Sequence, residues 1–155
     1  MLEYMLMPLK RYAQFQGRSR RKEYWFFSLF CVVVYLVIGL LAMMTGLSLS
    51  NLAQLDQPGA NPFEMVGAGF WLLLALGGLF GLFVMIPGIA VGVRRLHDRD
   101  MSGWWYLGLT LGGMLPYIGW AISIGFLVLM CLPGTPGPNR FGEDPKDPSG
   151  AEIFA

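Results

Sequence analysis

The sequence predicts an all-α integral membrane protein with three membrane-spanning stretches and an interfacial N-terminal helix. Three observations lead there. The chain has 155 residues, 55% of them hydrophobic and only 14% charged, where soluble domains carry about 25% charge. Its mean hydropathy is +0.53. No Asp, Glu, Lys or Arg occurs from Tyr24 to Leu55, from Met65 to Val93 or from Met101 to Asn139. Each gap exceeds the roughly 20 apolar residues that cross a bilayer core. A chain this short cannot hide so many apolar residues in one small core, so lipid is their expected solvent.

Met1 to Gln16 places Leu2, Met5, Leu6, Leu9, Tyr12 and Ala13 at helical spacing, the pattern of an interfacial amphipathic helix. Pro8 argues against one unbroken helix there. The basic run Arg18-Ser19-Arg20-Arg21-Lys22-Glu23 follows. The apolar run after it is too long for a signal-peptide core and is followed by further spans, so a cleavable leader is not expected.

The first span is expected at about residues 25–45, entered through Tyr24-Trp25-Phe26-Phe27, aromatic residues of the kind found at a membrane interface. A polar loop, Gly46 to Glu64, carries Asp56 and Glu64 but no basic residue. The second span is expected at about 65–93, kinked near Pro87-Gly88. A short polar loop, Arg94 to Gly103, leads to Trp104-Trp105-Tyr106, with Asp100 or Ser102 placed to cap the next helix.

The third stretch covers about 104–132 and is interrupted by Gly112-Gly113 and Pro116. As one kinked helix it would reach about 43 Å and cross with tilt. A hairpin turning near Pro116-Tyr117-Ile118-Gly119 is the alternative, because broken backbone is tolerated where protein buries it. The single span with its tail outside is the preferred expectation. The segment from Pro133 is rich in Pro and Gly, and residues 146–155 read as a flexible tail beyond one membrane domain at 1–145.

Charge orients the chain. Lys10, Arg11, Arg18, Arg20, Arg21 and Lys22 precede the first span, and Arg94, Arg95 and Arg99 follow the second. Both groups belong on the cytoplasmic side, which puts the N-terminus there.

Candidate chemistry is sparse. A single histidine, two cysteines (Cys31 and Cys131) and no Cys-x-x-Cys leave no expected metal or cofactor. The two thiols read as buried, apolar residues. His97-Asp98 is a nominal acid–base pair, but adjacent residues seldom orient one another for catalysis. The bland reading is a turn braced by His97-Asp98, with arginines holding lipid phosphates.

The expected cytoplasmic-face contacts to anionic headgroups or a partner are Arg18, Arg20, Arg21, Glu23, Arg94, Arg95, His97 and Asp98. Glu23 and Asp98 are expected to pair with arginines across that face. Nucleic acid is not an expected partner, since no basic face carries groove-reading elements. Gly77 and Gly81, Gly88 and Gly92, and Gly108 and Gly112 lie four apart, a spacing that lets helices approach closely in lipid. The spans hold no ionisable group of the kind that relays protons or ions.

Three ordered blocks make a resemblance. They are Gly17-Arg18-x-Arg20-Arg21-x-Glu23-Tyr24-Trp25; Arg94-Arg95-Leu96-His97-Asp98 with Ser102-Gly103-Trp104-Trp105; and Pro133-Gly134-Thr135-Pro136-Gly137-x-Asn139-Arg140-Phe141-Gly142-x-Asp144-Pro145. The chain resembles the bacterial inner-membrane family catalogued as domain of unknown function 805, the YhaH-like proteins. Asp100 stands where that family commonly has glycine, and Met101 where a basic or polar residue is common. The resemblance implies an inner-membrane location and brings no activity or cofactor. The expected role is non-enzymatic: a small accessory or scaffold subunit that packs against a larger membrane complex or anionic lipid. The alternatives are an oligomeric channel or small-solute transporter, and a membrane enzyme or stress sensor using His97-Asp98.

Overall fold

A computed structural model describes residues 2–46 and 67–146. Within them the chain forms α1 (Leu2–Lys10), α2 (Arg21–Gly46), α3 (Ala68–His97), α4 (Trp104–Gly113) and α5 (Gly119–Cys131). The only β feature among the described residues is one bridge, Asn139 to Gly142. Most of the expected polar loop, with Asp56 and Glu64, lies outside the described residues, as does the end of the tail. The described residues divide into two compact units, 2–28 with 86–146 and 29–46 with 67–85.

Two helices, Arg21–Thr45 and Ala68–His97, are long and apolar enough to cross a membrane. Their surfaces are inside-out relative to a water-soluble protein. Leu36, Leu40, Leu72 and Leu82 are each more than half exposed, while Arg94 and Arg95 are completely buried. Charged residues are almost never fully buried unless paired, so burial here follows pairing and not hydrophobicity.

In the unit formed by 29–46 and 67–85, aromatic rings lock α2 to α3. Phe80 meets Tyr35 edge-on at 5.4 Å and Phe30 at 6.2 Å. Gly81 makes room for the Tyr35 hydroxyl, since a Cβ there would sit 2.6 Å from it. Gly77 faces Ile38 at ordinary contact distance. Beside them, Tyr35, Gly39, Phe70 and Gly78 help line an apolar groove of about 680 Å3.

The other unit departs from expectation at its first helix. The amphipathic segment expected through Gln16 is helical only to Lys10 and then turns, with Gln14 N–H donating to the Arg11 carbonyl at 3.1 Å. Pro8 sits inside this short helix, where it has no N–H to give to the preceding turn. Pro87, by contrast, lies within α3 without ending it.

The third apolar stretch is two short helices, not one kinked span. Helices α4 and α5 have 10 and 13 residues and pack against each other as a hairpin. Gly112-Gly113 and Pro116 supply the break: glycine weakens the helix end and proline lacks the N–H to continue it. The turn puts Tyr117 in left-handed backbone at φ 70°, and Ile118 N–H donates to the Pro116 carbonyl at 2.9 Å. Gly119 is buried tightly on Gly113, where a Cβ would collide with the Gly113 carbonyl. Tyr106 and Phe126 close the hairpin edge-on at 5.6 Å.

This geometry also overturns the tail's expected separation from the basic blocks. After α5 the chain returns to the end of α3, where Thr135 N–H donates to the Asp98 carbonyl at 2.8 Å. The expected side-chain cap on α4 is absent as well. Gly103 is its N-cap, and backbone alone serves its first turn, with Trp105 N–H on the Ser102 carbonyl at 3.1 Å. Asp100 is drawn instead to Arg140 at 3.1 Å. Neither thiol is buried: Cys131 is exposed and Cys31 half-buried.

Of the other spaced glycines, Gly92 lies under the Tyr106 ring with no room for a Cβ, and Gly112 faces Ile122 at 3.3 Å. Gly88 touches Phe27 at 3.9 Å, whereas Gly108 faces open space.

Candidate functional site: an arginine–carboxylate cluster

The last turn of α3 builds the centre of the site. Helical spacing places Arg94 and Arg95 four and three residues before Asp98, with Asp98 N–H donating to the Arg94 carbonyl at 3.0 Å. The basic block before α2 docks onto this turn through backbone. Ser19 N–H donates to the Arg94 carbonyl at 3.1 Å, and His97 Nδ1 donates to the Gly17 carbonyl at 3.2 Å.

Two carboxylates organise the arginines. Asp98 receives Arg18 at 3.0 Å on Oδ1 and Arg95 on Oδ2. Glu23 receives Arg94 at 3.0 Å on Oε1 and the Ser19 hydroxyl at 2.8 Å on Oε2. All of these side chains are buried, none more than 7% exposed. Removing such charges from water costs several kcal/mol each, repaid only when geometry and hydrogen bonds are good. Here nearly every donor is used. Arg94 Nη1 is the exception, buried without a partner.

The third block enters through its backbone. Arg18 Nη1 and Nη2 donate to the Gly137 and Thr135 carbonyls, each at 2.6 Å. Arg20 donates to the Pro145 carbonyl. Asn139 Nδ2 donates to the His97 carbonyl at 2.9 Å. Gly134 lies directly on the Asp98 carboxylate, where a Cβ would overlap it. Phe141 stacks flat on the His97 ring at 3.9 Å, and the Arg140 guanidinium lies 4.8 Å from the centre of the Phe141 ring. In the turn beyond, the Lys146 and Gly137 backbone N–H groups hold the Asp144 carboxyl below the usual carboxylate range.

Every residue singled out in the sequence therefore has a definite place. Arg18, Glu23, Arg94, Arg95 and Asp98 meet in one cluster, and Arg20 and Arg21 stand at its edge. Glu23 pairs with Arg94 and Asp98 with Arg95 and Arg18. His97 and Asp98 do not act on each other: the ring turns to Gly17 and Phe141, and the carboxylate turns to its arginines. Burial removes Arg18, Arg94 and Arg95 from contact with headgroups. Among the described residues no group of three His, Cys, Asp or Glu is placed to hold a metal.

Ser19, Gly134 and Thr135 belong to the site although no residue-level argument had singled them out. Their backbone and hydroxyl contacts leave no spacing signature; Gly134 and Thr135 were marked only as positions of the third family-like block, and Ser19 stands at an unspecified position of the first.

Exposed apolar helices together with buried, paired charges define a helical membrane protein. The chain belongs to the family described as "Protein of unknown function (DUF805)", which it matches over residues 12–143. It is 40% identical over 145 residues to the inner membrane protein YhaH of Escherichia coli K12, covering 94% of this chain and 98% of that one. It is 35% identical over 145 residues to the inner membrane protein YhaI of the same organism, covering 94% and 97%. The uncharacterized protein YiiR of that organism is 28% identical over 151 residues, covering 86% of each chain. No solved structure matches significantly.

Proposed function

We propose that this protein is a multi-pass inner-membrane accessory or scaffold subunit with no enzymatic activity of its own, docked to a larger membrane complex. In this reading α2 and α3 cross the membrane and α4–α5 form a re-entrant hairpin. The basic blocks face the cytoplasm by the positive-inside rule, and the tail they bind shares that side. The charged groups are spent on one another and on backbone carbonyls, which supports a structural lock in place of a reacting centre.

One observation carries the docking role. Helix α4 is about 15 Å long, which sets the hairpin's break near mid-bilayer. At that break Met114 is 78% and Tyr117 92% exposed. Irregular backbone at membrane depth persists only where protein covers it or water fills a cavity beside it. A partner protein supplies the cover. An oligomeric channel is the second reading, in which the same break lines water.

Native purification in mild detergent with mass spectrometry tests this. Co-purification with a larger complex, lost on Tyr117→Lys, is the expected result. A homogeneous homo-oligomer would favour the channel, and a bare monomer would remove the accessory role. A cytoplasm-specific reporter on the C-terminus should be active; silence there would overturn the topology.

A further inference from the structure

Three arginines converge on the C-terminal end of α5. Arg95 Nε donates to the Met130 carbonyl at 3.2 Å and its Nη2 to the Leu132 carbonyl. Arg21 Nη1 donates to the Cys131 carbonyl at 3.2 Å, and Arg99 Nη1 to the Pro133 carbonyl at 2.6 Å. A helix C-terminus offers unsatisfied carbonyls and roughly half a negative charge, so cations gather there for a plain reason. They exceed what that end can neutralise. Among the described residues, the one carboxylate bonded to any of the three is Asp98, which Arg18 already shares. Arg21 and Arg99 both lie within electrostatic reach of Arg95.

Two further observations point outward. Arg99 Nε is buried with no partner. Arg21 is exposed and Arg99 half-buried, while Arg95 behind them is sealed. Flanking apolar surface is also on view: Trp25 is 37%, Val128 53% and Leu132 39% exposed.

We propose that Arg21 and Arg99, backed by Arg95, form a binding site for a phosphate oxyanion, carried by an anionic lipid headgroup. The planar guanidinium fork matches phosphate geometry, and hydrogen bonds to an ionised acceptor are stronger than those to carbonyls. A phosphate would supply the missing negative charge at the accessible edges of Arg21 and Arg99. Trp25, Val128 and Leu132 would then lie along its acyl chains. Arg18 and Arg94, which burial excludes from headgroups, take no part. The site rests on the membrane-face placement proposed above, but its test reads lipid and not partner protein, so the two can fail separately.

The full chain in detergent would be assayed by native mass spectrometry for retention of phosphatidylglycerol against phosphatidylcholine. The variants are Arg21→Gln/Arg99→Gln and, as an equal charge loss elsewhere, Lys10→Gln/Arg11→Gln. Arg21→Gln alone, at an exposed position, guards against misfolding of the double variant. At about 1 kcal/mol per basic group near the headgroups, the site pair should lower phosphatidylglycerol retention about tenfold or more, and the control pair less than about twofold. Protection of the parent's melting by inorganic phosphate, lost in the site pair, would support the site and name the free ion as sufficient. Lipid retention without that protection would support it as a headgroup site. Equal losses in both pairs, or binding in neither assay, would overturn it.

Discussion

Arg18 reaches across 80 residues of sequence to bind Asp98 at 3.0 Å, with both side chains almost wholly excluded from solvent. This contact ties the block before α2 to the end of α3, and Arg95 holds the other oxygen of the same carboxylate. Asp98→Ala would strand two buried guanidiniums. Loss of one member of a buried pair costs about 3–5 kcal/mol, so the melting temperature in detergent should fall sharply. A variant melting with the parent would show that the carboxylate is dispensable.

Glu23 and Arg94 form the second pair, and it is separable from the first. A double-mutant cycle between Glu23→Gln and Arg94→Met should give a coupling of about 1–3 kcal/mol, as contacting charges do. The same cycle between Glu23 and Arg95, which share no bond, should give about 0.5 kcal/mol or less. Equal coupling in both cycles would contradict the pairing seen here.

Glycine position should matter by location and not by spacing. Gly134→Ala forces a Cβ into the Asp98 carboxylate, which two arginines prevent from moving aside. The expected cost is about 1–3 kcal/mol, as for other overpacked sites. Gly108→Ala places its Cβ in open space and should be neutral or stabilising by up to about 1 kcal/mol, the usual gain for alanine over glycine in a helix. Unfolding of the two variants side by side checks this, and reversed order would be decisive against it.

Asp100 occupies left-handed backbone at φ 57°, which only glycine adopts at no steric cost. That fits the glycine which the family resemblance implies at this position. Asp100→Gly should relieve about 1 kcal/mol of backbone strain and lose only a half-exposed pair with Arg140, worth little. Thermal unfolding no lower than the parent's is expected; a clear drop would show that the Arg140 contact matters more than the backbone.

Acid should loosen the turn around Asp144. Its folded carboxyl is held below its ordinary value, first by the Lys146 N–H. A depressed folded value means that the contribution is present above the unfolded carboxylate range and is lost as pH falls through the folded one. The protection of the Gly137 and Lys146 amides, taken relative to intrinsic exchange at each pH, should therefore fall on acidification. Asp144→Asn should remove that pH dependence; protection still falling with pH in the variant would assign it elsewhere.

Much of this was legible in the residues. Uncharged runs marked α2 and α3, and the family-like blocks marked the segments that meet. Opposite charges in Glu23 and Asp98 among arginines announced pairing. Two things were not legible. The hairpin depended on Gly119 nesting against Gly113, a tertiary approach that composition does not distinguish from a tilted span. The arginines' main partners proved to be carbonyls of Thr135, Gly137, Leu132 and Pro145. Every residue type carries a carbonyl, so no side-chain pattern could name them, and a basic run reads as headgroup-binding when much of it is spent internally.

The cluster draws on residues from Arg18 to Pro145, so it is completed only once the third block has been synthesised. A chain halted before Thr135 leaves Arg18 without two of its acceptors and α3 without the backbone that seals Asp98. Buried charge without partners is costly, so such a shortened product would be markedly less stable. The mature protein carries its own proof that translation reached the end of the third block.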